Sequence, residues 1–238
     1  HRTPATFCPM PIIGYSKEYM EHNSWMVAQI LACGVMGVDI CHARDPDAVA
    51  AAVQAMRYPF PYPVSAKKML GDLPYGGEGL RGNGSQGFAA RMWGVNTNRY
   101  TRVADLWPLN PEGELMLGLK IEDKWALDNV EKTFAVPGVA FAEWGPGDMA
   151  MSLNGLSFYP DPPVPRRTEF SVPSSIAPNV NAARLRVAAA CRASGVKLLD
   201  TCIPETVIDS IKLGAGVLEC SQASALIGRE YTKRRMPV

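Results

Sequence analysis

The chain has 238 residues, 47% of them hydrophobic, and 24 Lys and Arg against 23 Asp and Glu give a formal net charge of +1. A length of this order fits one large α/β domain, and a nearly balanced charge gives no footing for nucleic acid or for an anionic membrane surface. No apolar run approaches the ~20 residues needed to span a bilayer. The cysteines at 8, 33, 41, 191, 202 and 220 show no C-x-x-C spacing. Free thiols in a reducing, cytoplasmic setting are therefore expected, with neither a disulfide framework nor a zinc knuckle.

Residues 5–13, apolar and broken by proline, read as a first strand, followed by a polar connection over 14–22. Asn23 or Ser24 caps a helix to about Cys33 with Met26, Val27, Ile30 and Leu31 inward, and Gly34 ends it. The next strand, 35–41, carries Asp39, an unusual residue for a buried parallel strand. His42-Ala43-Arg44 leads to Asp45 as N-cap and Pro46 at the first position of a helix running to about Tyr58, with Val49, Val53 and Met56 inward. Residues 59–84 are dense in proline and glycine and form a long loop, which in a compact domain is usually functional or disordered. The stretch on to Trp93 has little periodicity, and 98–106 is a short helix.

Residues 115–153 form the centre of the chain, a strand–helix–strand unit with an acidic residue where each strand ends. A strand over 115–121 is closed by Glu122 and Asp123. A helix over 124–134 follows, its stripe made by Trp125, Leu127, Val130 and Phe134 and stopped by Pro137-Gly138. A strand over 139–144 then runs into a Gly145-Pro146-Gly147-Asp148 turn. Beyond it come a proline-rich loop over 159–178, a helix over 184–194 ended by Gly195, a strand over 196–200, a helix over 204–213 ended by Gly214, a strand over 217–220 and a helix over 222–231. Lys233-Arg234-Arg235 reads as a solvated end.

Strands joined by helical crossovers make a parallel sheet, and such sheets carry their chemistry at the carboxyl ends of the strands. Neighbouring strands lie about 4.8 Å apart, so Glu122 and Asp148 can converge above the sheet. Carboxylates that close repel and raise one another's pKa, a penalty that a divalent cation removes; oxygen ligands suit Mg, Mn or Co. From spacing alone the other reading stays open, in which Glu122 caps the following helix and Asp148 stabilises a turn.

KIED followed by VPGVAFAEWGPGDMAMS resembles the paired signature of the HpcH/HpaI family of metal-dependent class II aldolases, a Q-I-E-T-like strand end and a later G-P-x-D-L-S turn. GVMGVDICHARDPDAVAAAVQAMRYPF and GEGLRGNGSQGFAARMW extend the likeness upstream, over about three quarters of the chain. The resemblance implies a TIM-type (β/α)8 barrel with Glu122 and Asp148 as metal ligands, and a carbon–carbon lyase that cleaves a 4-hydroxy-2-oxo acid to pyruvate and an aldehyde. It also implies a homo-oligomer. Six strands are legible where the barrel needs eight. One domain over 1–238, lacking its first one or two βα units, is therefore expected, against the alternative of an open, doubly wound sheet.

On this reading the backbone of Gly145, Gly147 and Asp148 could bind the substrate carboxylate, with Trp144 walling the pocket. Arg81 matches the family's R-G position and either approaches the site or anchors a loop. His42 follows a strand end and either faces the site or is a hydrogen-bonded structural residue. Lys120 stands where the family usually has Gln. It could partner a substrate carboxylate, or in principle act as a Schiff-base nucleophile if its pKa were lowered. The family's His–Asp base lies on an early loop outside the recognised stretch, and its substrate Arg has no counterpart between Thr6 and Gly14. A citrate-lyase-like enzyme on another substrate, or a catalytically degenerate binding subunit, are the alternatives.

Overall fold

The computed structural model describes residues 7–60, 77–155 and 177–234. Seven strands are found among them: β1 Phe7–Ile13, β2 Gly37–Cys41, β3 Leu106–Trp107, β4 Leu115–Lys120, β5 Val139–Glu143, β6 Lys197–Cys202 and β7 Ala215–Cys220. All their pairings are parallel, in the order β1-β2-β4-β5-β6-β7, with the two-residue β3 beside β4. Each long strand thus lies next to its neighbour in the chain. That order belongs to a TIM-type barrel, since a doubly wound sheet reverses its strand order partway. The six strands legible in the sequence are all present; β3 is too short to give a signal.

The helices are α1 Lys17–His22, α2 Ser24–Ala32, α3 Pro46–Met56, α4 Gln86–Met92, α5 Thr97–Val103, α6 Lys124–Asp128, α7 Val130–Phe134, α8 Pro146–Asn154, α9 Pro178–Ser194, α10 Val207–Leu213 and α11 Gln222–Thr232. α3 begins as its sequence dictates: the Asp45 side chain accepts from the Asp47 N–H, with Pro46 in the first turn. Every residue from Ala48 to Met56 is buried, which explains a helix of small apolar residues lacking a polar face. Val27, Ile30 and Leu31 are likewise buried on α2.

Several local expectations need correction. The crossover over 124–134 is two short helices broken at Asn129, and its Trp125 is 50% exposed instead of inward, while Ala126, Val130 and Phe134 join the core. The polar connection over 14–22 contains α1, capped by Ser16, and the weakly periodic stretch before Trp93 contains α4. α9 begins at Pro178, six residues earlier than read. Most of the long loops over 59–84 and 159–178 lies outside the described residues.

The register sorts the side chains of the sheet. Asp39 pairs with Gly118, and Lys120 with Glu143, so Asp39, Lys120 and Glu143 share one face by alternation. Val38, Ile40, Leu117 and Leu119 share the other and are buried in the core. Gly118 is required by its surroundings: a Cβ there would come within 2.2 Å of the Phe141 ring and 2.7 Å of Asp39 Oδ1.

Candidate active site

β2, β4 and β5 end side by side, and the residues that leave them meet. Glu122, the second residue past β4, is only 2% exposed. Its Oε1 accepts the His42 backbone N–H at 2.9 Å, and Lys120 Nζ lies 3.8 Å from its Oε2. Burial pushes the Glu122 carboxyl above its usual range; Lys120 and the His42 N–H oppose this, and the charge of Asp148 adds to it. The two acidic side chains singled out in the sequence therefore feel one another across the gap between neighbouring strand ends.

Asp148 is exposed, in the first turn of α8. The predicted turn over 145–148 is in fact the start of that helix: Gly145 is the N-cap in the left-handed region (φ 49°) and Pro146 opens the first turn. A Cβ on Gly145 would fall 2.2 Å from Glu122 Cβ, so only glycine lets the two strand ends approach this closely.

His42 is one of two non-glycine residues with positive φ among the described residues (φ 48°), a conformation that costs energy and concentrates at functional positions. Its Nδ1 lies 2.9 Å from Asp123 Oδ2, and Arg44 Nε donates to the same oxygen at 2.8 Å. Burial raises the Asp123 carboxyl, but the Ala126 N–H, Arg44 and His42 outweigh it and hold the group below its ordinary value. Ionised Asp123 fixes the tautomer with the proton on Nδ1 and leaves Nε2 as the free nitrogen. His42 stands out in the sequence, whereas its partners Asp123 and Arg44 do not. The signal available was that both follow the ends of strands, one of them directly after a ligand candidate.

Lys120 Nζ sits 3.1 Å from Glu143 Oε2. Burial works against its ammonium, yet Glu143 and Glu122 outweigh that and raise its pKa. Asp39, behind this pair, has an Oδ1 with no hydrogen-bond partner and is raised to about 7, by burial first and then by Glu143. Cys33, Cys41, Cys191, Cys202 and Cys220 are free. Burial pushes Cys41 up to about 11 and Cys191 and Cys202 up to about 12, which leaves them inert as nucleophiles.

Two expected site residues lie elsewhere. Arg81 is buried: its guanidinium stacks 4.3 Å from the Tyr58 ring and donates to Tyr100 Oη at 3.0 Å, while its backbone N–H bonds Arg57 O. It anchors the incoming loop, held there by the cation–π contact with Tyr58 and its bond to Tyr100. Trp144 is buried. Its indole N–H donates to Asp200 Oδ1 at 2.9 Å, in a buried cluster with Arg184. Being one residue past Glu143, it turns to the opposite side of the sheet.

Among the described residues no group of three or more His, Cys, Asp and Glu side chains is arranged to hold a metal. A divalent ion still fits a two-carboxylate donor set: Glu122 and Asp148 supply hard oxygens, their mutual repulsion is the kind a cation relieves, and the cradle is cleared by Gly145. No helix among the described residues is long and apolar enough to cross a membrane.

No family model matches the chain. In sequence it is 29% identical over 172 residues to a 2-keto-3-deoxy-L-rhamnonate aldolase of Escherichia coli O17:K52:H18, covering 71% of this chain and 52% of that protein. It is 28% identical over 157 residues to the enzyme of that name from Shigella dysenteriae serotype 1, covering 66% and 46%. The chain thus spans about half the length of the curated relatives it matches. Its fold matches an HpcH/HpaI aldolase/citrate lyase family protein from Burkholderia cenocepacia J2315 with a TM-score of 0.59 at 19% identity, over 95% of this chain and 82% of that one. The citrate synthase SbnG matches with a TM-score of 0.54 at 13% identity, over 96% and 81%. The chain is thus similar in sequence to aldolases and in fold to a protein of the HpcH/HpaI aldolase/citrate lyase family, in keeping with the resemblance carried by residues 120–123 and 145–148.

Proposed function

We propose that this chain carries the site of a metal-dependent aldolase that cleaves, or in reverse forms, a 4-hydroxy-2-oxo acid, with pyruvate or a related 2-oxo acid as one product. The observation that carries the reading is the close packing of two neighbouring strand ends, Gly145 directly against Glu122, with the charge of Asp148 acting on the Glu122 carboxyl. Glu122 and Asp148 would hold a divalent cation, Mg, Mn or Co. When bound, that ion supplies Lewis-acid stabilisation of the charge that develops on the 2-oxo group.

The chain's own residues have separate tasks. The N–H groups of Gly147 and Asp148, at the start of α8, favour a substrate carboxylate; Pro146 has none to offer. His42 Nε2 takes the proton from the 4-hydroxyl as the C3–C4 bond breaks, and Asp123 at Nδ1 stabilises the imidazolium that results. Lys120, paired with Glu143, keeps the floor of the site from accumulating negative charge. Active sites in this reading are completed in a homo-oligomer.

The test is pyruvate release from a 4-hydroxy-2-oxo acid by the full chain, with and without Mn2+. Activity that vanishes on chelation and returns with Mn2+ supports the proposal. Metal binding without turnover points instead to a binding subunit.

A further inference from the structure

Two of the cysteines, on β6 and β7, are set against one another. Cys202 is the last residue of β6 and Cys220 the last residue of β7, and the parallel register makes them direct partners. Side chains at partnered positions of neighbouring strands leave the sheet on the same face, and the two thiols lie within hydrogen-bonding reach of one another. Nowhere else among the described residues does the register pair two cysteines. One position back, Thr201 Oγ1 donates to Glu219 Oε2 at 3.0 Å, so the same strand ends are clasped on the opposite face as well.

That placement suits a bond between the sulfurs. Neighbouring strands run about 4.8 Å apart, inside the Cα separation of roughly 4.4–6.8 Å that a disulfide spans. The Cβ atoms of a disulfide stand closer, about 3.8 Å apart, so the strand ends must draw together slightly on closure. Both cysteines end their strands, where such a movement disturbs no pairing beyond them. A bond closed against the strand spacing is strained, and strained disulfides are the readily reduced kind. The two thiols also differ. Cys202 is 1% exposed and is pushed up to about 12, by burial first and then by the charge of a Cys220 thiolate. Cys220 is half-buried and directly precedes Ser221, the cap of α11, so a small oxidant meets it first.

We infer that Cys202 and Cys220 form a reversible dithiol–disulfide pair, a modification site that the proposed aldolase chemistry does not use, closed by a small-molecule disulfide of the glutathione type. The Cys220 thiolate attacks one sulfur of the oxidant, forming a mixed disulfide and releasing one thiolate. Capping Cys220 removes the charge that held the Cys202 proton in place. Cys202, inert toward an oxidant in solution, is delivered to its target by the register, where proximity replaces intrinsic reactivity. Its sulfur attacks Cys220 Sγ, loses its proton and expels the second thiolate. The two cysteine protons end on the two released thiols; the cysteines are oxidised by two electrons and the small disulfide is reduced by two. The closed bond ties β7, the last strand of the described order, and the entry to α11 onto β6.

The test incubates the folded full chain with oxidised glutathione, then unfolds it in urea with iodoacetamide and maps every cysteine by mass spectrometry. A Cys202–Cys220 link carrying no glutathione is expected, and dithiothreitol should open it again. Cys202→Ala should stop at glutathione on Cys220, since the resolving sulfur is gone, and Cys220→Ala should leave Cys202 free to the iodoacetamide. Three results in the wild type would each overturn the inference: glutathione retained on Cys220, both cysteines alkylated after exposure to the oxidant, or either one linked to a different cysteine. The wild-type map carries the test by itself, whether or not either variant folds.

Discussion

Gly145 and Glu122 are in such close contact that a single methyl group between them has no room: a Cβ on Gly145 would stand 2.2 Å from Glu122 Cβ and 3.0 Å from its Oε2. Gly145 also has φ 49°, where an L side chain is strained. Gly145→Ala should therefore act on the site as well as on the fold. We expect a loss of about 1–3 kcal/mol in stability, together with weakened Mn2+ binding because Glu122 must move. Urea unfolding and a Mn2+ titration of the same variant check both halves.

Asp39 makes stability depend on pH. Its carboxyl is raised to about 7, mainly by burial, whereas in the unfolded chain it titrates near 4. Between those values the native state keeps a proton that the unfolded state has released, so this contribution is complete below about pH 4 and is lost as pH rises through 7. The ceiling is on the order of 4 kcal/mol, less once solvent relaxes around the charge. Asp39→Asn should flatten the fall in Tm between pH 4 and 8, and an unchanged slope would contradict the assignment.

Lys120 should not form a Schiff base. Its ammonium is held protonated by Glu143 and Glu122 despite burial, the opposite of the lowered pKa that covalent catalysis by lysine needs. Incubation with pyruvate and borohydride should leave the mass of the protein unchanged. A reduced adduct on Lys120 would reverse this conclusion.

Arg81 should matter for folding and not for metal binding. Arg81→Ala removes a buried side chain packed on Tyr58 and bonded to Tyr100, and we expect about 2–4 kcal/mol of lost stability from the cavity. Arg81→Met, which keeps most of the volume, should cost less. Mn2+ affinity of the folded variants should stay within about twofold of the wild type.

Much of this architecture was legible because apolar strands and capped helices are local signals. The Asp45-Pro46 start of α3 and the glycines after α9 and α10 needed no tertiary information. What escaped depends on partners distant in the chain. The exposure of Trp125 goes with the break at Asn129 and the Arg44 guanidinium above its ring, and nothing in the stripe of residues 125–134 announces either. Arg81 looked like a site residue because a motif gives type and spacing but not direction; Tyr58 and Tyr100, which capture it, lie 23 and 19 residues away. The placement of His42 beside Asp123, 81 residues apart, required knowing that β2 lies against β4.

The most direct measurement is Mn2+ binding by electron paramagnetic resonance to the wild-type chain and to Glu122→Gln and Asp148→Asn. The account predicts one high-affinity ion per chain, weakened at least a hundredfold by either substitution, with pyruvate release lost in step. Undiminished Mn2+ binding in both variants would contradict it.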